Sequence, residues 1–164
     1  MSELISGKII SSQIKEELRN EIENLKERGL EPCLAVVLVG EDPASAVYVR
    51  NKKRTCEELG IRSVGHDLPE TTSQDELENL VNDLNNDSSV HGILNQFPLP
   101  NGLDESSVIR TISPEKDVDG LHPLNAGLIA MGKPSFISCT PYGVLQMLKR
   151  SNISTSGKNA VVLG

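Results

Sequence analysis

Leu34-Ala35-Val36-Val37-Leu38-Val39-Gly40-Glu41-Asp42-Pro43 decides how this chain is built. A strand with one wet face alternates apolar and polar residues, whereas the run from Leu34 to Val39 is apolar throughout, so it reads as a strand covered on both faces. Gly40 ends it. Asp42 is a good N-cap, and Pro43 has its φ preset for a first helical turn, which predicts a helix over Ala44 to Leu59 stopped by Gly60. Upstream, Ile14, Leu18, Ile22 and Leu25 recur at helical spacing within Ser11 to Arg28, and Gly29 closes that helix. Downstream, Ile61 to Asp67 reads as a strand and Ser73 to Leu84 as a helix. Ser73 and Glu76 there form a capping box. Gly92 to Leu94 begins a short strand that runs into Gln96 and then Pro98-Leu99-Pro100. Helices alternating with buried strands predict an α/β chain: a three-layer α/β/α domain around a mostly parallel sheet.

From Asn101 to Pro134 the pattern loosens into a short helix, Asp104 to Arg110, and a loop rich in Gly, Pro and Asp. Loops of that length in a compact domain tend to carry function. Thr140-Pro141 opens another helix ending at Arg150, and Ser151 to Gly157 is polar and linker-like. Ala160-Val161-Val162-Leu163-Gly164 then reads as a buried strand reaching a first glycine. A Rossmann-type NAD(P) domain opens in this way, its pyrophosphate lying at the following helix N-terminus, or the run is simply a core strand, as most such strands are. On the first reading the chain divides into residues 1–139, a first domain, and 140–164, a linker helix and first strand of a dinucleotide-binding domain that is cut short.

Composition narrows the chemistry. With 37% hydrophobic and 24% charged residues the chain is of ordinary globular type, and with aromatics at 2% its core must be aliphatic. A net charge of -7 disfavours nucleic acid or an anionic membrane as partner. The 3 cysteines, Cys33, Cys56 and Cys139, are far apart, and no early stretch resembles a signal peptide, which points to a reducing cytosol. Neither CxxC nor HExxH occurs, so no metal is expected.

Three stretches carry candidate chemistry. Tyr48 and Lys52 lie one helical turn apart and project from one face, either as a surface pair or as a ring and an amine facing a flat heterocycle. Arg50, Lys53 and Arg54 make that helix basic, which matters because a free lysine amine titrates near pH ~10.4 and needs burial or cationic neighbours to serve as a base. Gln96 stands at the carboxyl end of a strand, where parallel sheets bind ligands, or is simply a loop amide. Lys116-Asp117-Val118-Asp119-Gly120-Leu121-His122 places two carboxylates beside a glycine. They lack the further ligands of a calcium loop, but one carboxylate can accept paired N–H bonds from an amino-pyrimidinone edge. His66, His91 and His122 have no partner at ligand or triad spacing and read as structural or surface residues.

Taken in order, Val39-Gly40-Glu41-Asp42-Pro43-Ala44-Ser45 with Tyr48-Val49-Arg50-Asn51-Lys52, then Gly92 to Pro100, Pro114 to His122 with Asn125 and Gly127, Cys139 to Gly143, and Gly157 to Gly164 closely resemble the bifunctional methylenetetrahydrofolate dehydrogenase / methenyltetrahydrofolate cyclohydrolase (FolD-type) family. The resemblance implies Lys52 as acid/base of the cyclohydrolase step, Gln96 set against it to tune its proton affinity, and Asp119 holding the pterin edge. It further implies Tyr48, Val49, Arg50, Asn51, Asn95, Gln96 and Phe97 as folate-contacting positions and Gly164 as the start of an NADP site. A homodimer, a cytoplasmic location and a place in one-carbon supply for purine biosynthesis are implied as well. The pattern departs from the family at Asn95, where a small apolar residue is usual, and at Phe97, where Leu is usual; altered cleft packing is the expected consequence. Two other readings are a non-catalytic folate-binding module and a monofunctional dehydrogenase. A third, an amino-acid dehydrogenase-like enzyme, leaves Tyr48, Lys52, Gln96 and Asp119 unexplained.

Overall fold

A computed structural model describes residues 4–162. The chain runs α1 (Gly7–Glu27), β1 (Cys33–Val39), α2 (Pro43–Leu59), β2 (Arg62–Leu68), α3 (Gln74–Asn86), β3 (Gly92–Asn95), α4 (Glu105–Thr111), α5 (Pro123–Ala130) and α6 (Cys139–Arg150). The strands form a parallel sheet in the order β2-β1-β3, with Val39 opposite Leu68 and Val37 opposite Asn95.

β1 is central, and helices cover both its faces, as its unbroken apolar run demands. Cys33, Ala35, Val37 and Val39 pack on one side against Leu77, Val81 and Leu84 of α3 and Val108 of α4. Val36 and Leu38 pack on the other against Val49 of α2, with α1 laid over that helix. These are the three expected layers. Leu77, Val81 and Val36 are fully sealed at 0% exposure. Each such side chain contributes about 1.5–3 kcal/mol, against roughly 0–1 kcal/mol for a surface ion pair such as Lys15–Glu58. Aliphatic burial therefore decides the architecture.

Local signals set the helix starts. Asp42 accepts from Ser45 N at 2.7 Å ahead of Pro43. The Ser73–Glu76 capping box forms as expected. Lys116 reaches the opposite end of α3, its Nζ donating to Leu84 O at 2.9 Å and Asp87 O at 2.8 Å, a cation at the negative end of a helix.

Two expectations are corrected. The stretch read as an irregular loop contains α5, capped by His122, whose Nδ1 accepts from Leu124 N at 3.0 Å, with Pro123 at its first turn. Its sequence, PLNAGLIA, is apolar on nearly every side, so no helical period marked it. The strand expected over Ala160 to Gly164 is not seen where it can be tested. Ala160, Val161 and Val162 have no ladder partner, and Val161 and Val162 are 84% and 93% exposed. A strand needs a neighbour for its N–H and C=O groups, and among the described residues none lies beside it. Leu163 and Gly164 fall outside the described residues.

Candidate active site

The cavity of interest lies over the carboxyl edge of the sheet. Gln96 is fixed there by its backbone, because its N–H extends the ladder past Asn95 to Val37 O at 2.9 Å. Its side chain is held at both ends: Nε2 donates to Phe97 O at 2.7 Å, and Oε1 accepts from Lys52 Nζ at 3.1 Å. The amine of α2 and the amide at the end of β3 are thus joined across 44 residues of sequence. The Phe97–Pro98 peptide bond beyond Gln96 is cis.

The opposite wall comes from a segment that runs beside β3. Ile93 N donates to Lys116 O at 2.8 Å, and Ile93 pairs in parallel with Asp117, so two residues further on Asp119 draws level with Asn95. Gly92 permits this approach; a Cβ there would stand 2.5 Å from Val118 Cγ1. Asp117, 2% exposed, pins the segment by accepting from Leu121 N at 3.3 Å, His122 N at 2.8 Å and Asn125 Nδ2 at 2.8 Å. Asp117 therefore serves the loop, and Asp119 is left for the cavity.

Lys52, Asn95, Gln96, Phe97, Asp119 and the start of α6 line a cavity of about 230 Å³. Ser138, Cys139 and Thr140 are wall residues that the sequence does not mark as site positions, although Cys139 to Gly143 is one of the matching stretches and Thr140-Pro141 opens a helix. Cys139 Sγ donates to Asp119 Oδ1 at 3.5 Å and to Val118 O at 3.6 Å. Crowding around its thiol pushes it above the usual thiol range even though the residue as a whole is exposed. The Asp119 charge adds to that rise and Lys52 opposes it, so all three groups share one field.

Other expected positions lie elsewhere. Tyr48 is one turn from Lys52 on the same face and 63% exposed, outside the cavity lining. Val49 is 3% exposed and belongs to the core with Val36 and Leu38. Arg50 lines a separate concavity with Lys53 and Arg54, and Asn51 is exposed. Successive helical residues turn by about 100°, so Tyr48 and Lys52 share a face while Val49 and Arg50 turn away. The basic neighbours are also partly neutralised, Lys53 by Asp67 at 3.4 Å and Arg54 by Glu58 at 3.6 Å.

Asn95 is 2% exposed, and among the described residues neither its Oδ1 nor its Nδ2 has a partner. Asn95 lines the cavity, but its amide atoms are buried. An unsatisfied buried amide costs about 1–3 kcal/mol. Replacing Asn95 with Val is expected to raise stability by about that amount, seen as a higher urea midpoint with unchanged slope. A lower midpoint would mean that the amide has a partner.

The geometry has close counterparts. The family model "Tetrahydrofolate dehydrogenase/cyclohydrolase, catalytic domain" matches residues 5–119. A protein of Agathobacter rectalis named "Bifunctional protein FolD" is 56% identical over 164 residues, 100% of this chain and 59% of that protein. The chain thus spans little more than half the length of this relative. A crystal structure of the bifunctional enzyme FolD from Campylobacter jejuni superposes with a TM-score of 0.91 at 47% identity, covering 92% of this chain and 54% of that one. The Trypanosoma brucei FolD structure, complexed with NADP cofactor and inhibitor, gives 0.91 at 32% identity, covering 96% and 54%. With a catalytic-domain match over most of its length and relatives of the same layered fold, the chain belongs to the tetrahydrofolate dehydrogenase/cyclohydrolase family.

Proposed function

We propose that this chain carries the folate side of a methylenetetrahydrofolate dehydrogenase and methenyltetrahydrofolate cyclohydrolase, with residues 1–139 as its catalytic domain. The observation that carries the reading is the Lys52 Nζ–Gln96 Oε1 bond at 3.1 Å, in a cavity whose other wall bears Asp119.

In hydrolysis of the methenyl cation, water adds to the bridging carbon, the added water loses a proton, and the ring opens to the formyl product. A group that takes and returns protons beside that carbon is what the step requires. Lys52 has that role. Gln96, locked by its bond to Phe97 O, keeps the amine aimed into the cavity. Asp119 accepts the amide and amino hydrogens of the pterin edge, fixing which face of the bridge meets Lys52. Tyr48, one turn along α2, supplies a ring against the folate where it leaves the cavity.

The dehydrogenase half belongs to the same proposal, with NADP supplying the hydride acceptor. The described residues form no phosphate cradle for it, since Ala160–Val162 is unpaired and Gly164 lies outside them. No step of hydride transfer is assigned to a residue of this chain. A homodimer in the cytoplasm completes the proposal.

Titrating the chain calorimetrically with formyltetrahydrofolate, alongside an assay of methenyl hydrolysis, tests it. Saturable binding with turnover is expected. Binding without turnover would favour a folate-binding module, and absence of binding would overturn the reading.

A further inference from the structure

The two walls of the cavity come from separate segments: Asp119 from the chain beside β3, Ser138 and Cys139 from the start of α6. They meet at Gly120. This residue is buried with φ +63°, and a Cβ on it would stand 2.7 Å from Ile137 C, 2.7 Å from Ser138 N and 3.0 Å from Phe136 O. All three are backbone atoms, so no change of rotamer relieves the contact. Carbon pairs settle at about 3.5–4.0 Å, so one added methyl demands a retreat of roughly 1 Å by one segment or the other. The Asp119 side is anchored by Asp117, and Asn125 Oδ1 ties Ser135 at 2.6 Å. The yielding falls on Phe136–Ser138, directly before Cys139.

We infer that Gly120 is a positioning residue of the site: its bare α-carbon lets the Phe136–Ser138 backbone close on the Asp119 loop, so that Cys139 and Asp119 meet across one cavity with Lys52 and Gln96. The ligand in this inference rests on the folate reading; the closure itself does not. Gly120 acts through its neighbours and touches no substrate.

The cysteines provide a readout independent of ligand. Cys33 and Cys56 are buried and Cys139 is exposed, so dithiobis-nitrobenzoate reports Cys139 in the folded protein and all 3 thiols only on unfolding. Two variants separate contact from strain. Gly120→Ala adds the Cβ and a residue averse to positive φ, whereas Gly120→Asn adds the same Cβ on a residue that tolerates the left-handed region.

Both variants are expected to speed the reaction of Cys139 by about tenfold, as the thiol leaves Asp119 and its thiolate fraction rises. Cys33 and Cys56 should stay silent, and formyltetrahydrofolate affinity should fall at least about tenfold. Unchanged Cys139 reactivity overturns the inference. So does wild-type behaviour of Gly120→Asn, which would make backbone strain the cause, or simultaneous reaction of all the thiols, which would make Gly120 a folding residue. If thiol rates shift as expected but the wild-type chain binds no folate, the closure stands and the folate reading falls.

Discussion

Lys52→Met is expected to remove methenyl hydrolysis almost completely, lowering turnover by about 10²–10⁴-fold, the range a positioned acid/base supplies. Methionine keeps the length of the side chain and its packing along α2 but deletes the amine that donates to Gln96 Oε1 at 3.1 Å. Lys52 is only partly buried and, among the described residues, its amine makes no hydrogen bond to the backbone, so the fold should survive the change. Binding of formyltetrahydrofolate should weaken far less than turnover, because Asp119 and the walls at Phe97 and Thr140 remain. Stopped-flow loss of methenyltetrahydrofolate absorbance gives the rate, and titration of the product gives the affinity. Lys52→Arg sharpens the result. Arginine keeps the positive charge but does not release its proton in a protein, so it should be as inactive as Met. Recovery of turnover by Arg would reduce Lys52 to a fixed charge, and retained turnover in the Met variant would remove it from the chemistry.

Much of the scaffold was legible because its signals are local. The unbroken run of β1 announced burial on both faces, and the Ser73–Glu76 box and Asp42-Pro43 fixed helix starts through hydrogen bonds within four residues of chain. The pairing of Lys52 with Gln96 was not legible from spacing. It follows from parallel register, which sets Gln96 N on Val37 O and brings the end of β3 beside α2. The resemblance supplied that pairing, but it also swept in Val49 and Arg50, which helix geometry turns away from the cavity. The role of Asp117 escaped notice for a related reason. The carboxylates at 117 and 119 look equivalent in their local pattern, and burial separates the one that anchors a loop from the one that lines the cavity. Helix α5 had no apolar stripe to detect, since its neighbours leave Leu124 and Ile129 exposed at 54% and 37%.

Asp119→Ala should weaken formyltetrahydrofolate binding by about 100-fold while leaving the fold intact. A carboxylate accepting two N–H groups makes charge-assisted bonds of about 1.5–3 kcal/mol each. Water replaces part of that loss in an open cavity, leaving about 3 kcal/mol, and roughly 1.4 kcal/mol corresponds to a factor of ten. Stability should change little, within about 0.5 kcal/mol, because the loop hangs on Asp117 and Asn125, and among the described residues Asp119 accepts only from the Cys139 thiol. Asp119→Asn distinguishes charge from shape: its oxygen still accepts one hydrogen, but its NH₂ faces the second donor, so it should recover little affinity. Both variants should also free Cys139, whose thiol loses the neighbouring charge that helps to raise it. Calorimetric titration, the thermal midpoint and Cys139 reactivity together decide the matter. Weak binding with a normal midpoint and a faster thiol assigns the pterin edge to Asp119. Unchanged affinity assigns it elsewhere, and a depressed midpoint would mean that Asp119 shares with Asp117 the work of anchoring the loop.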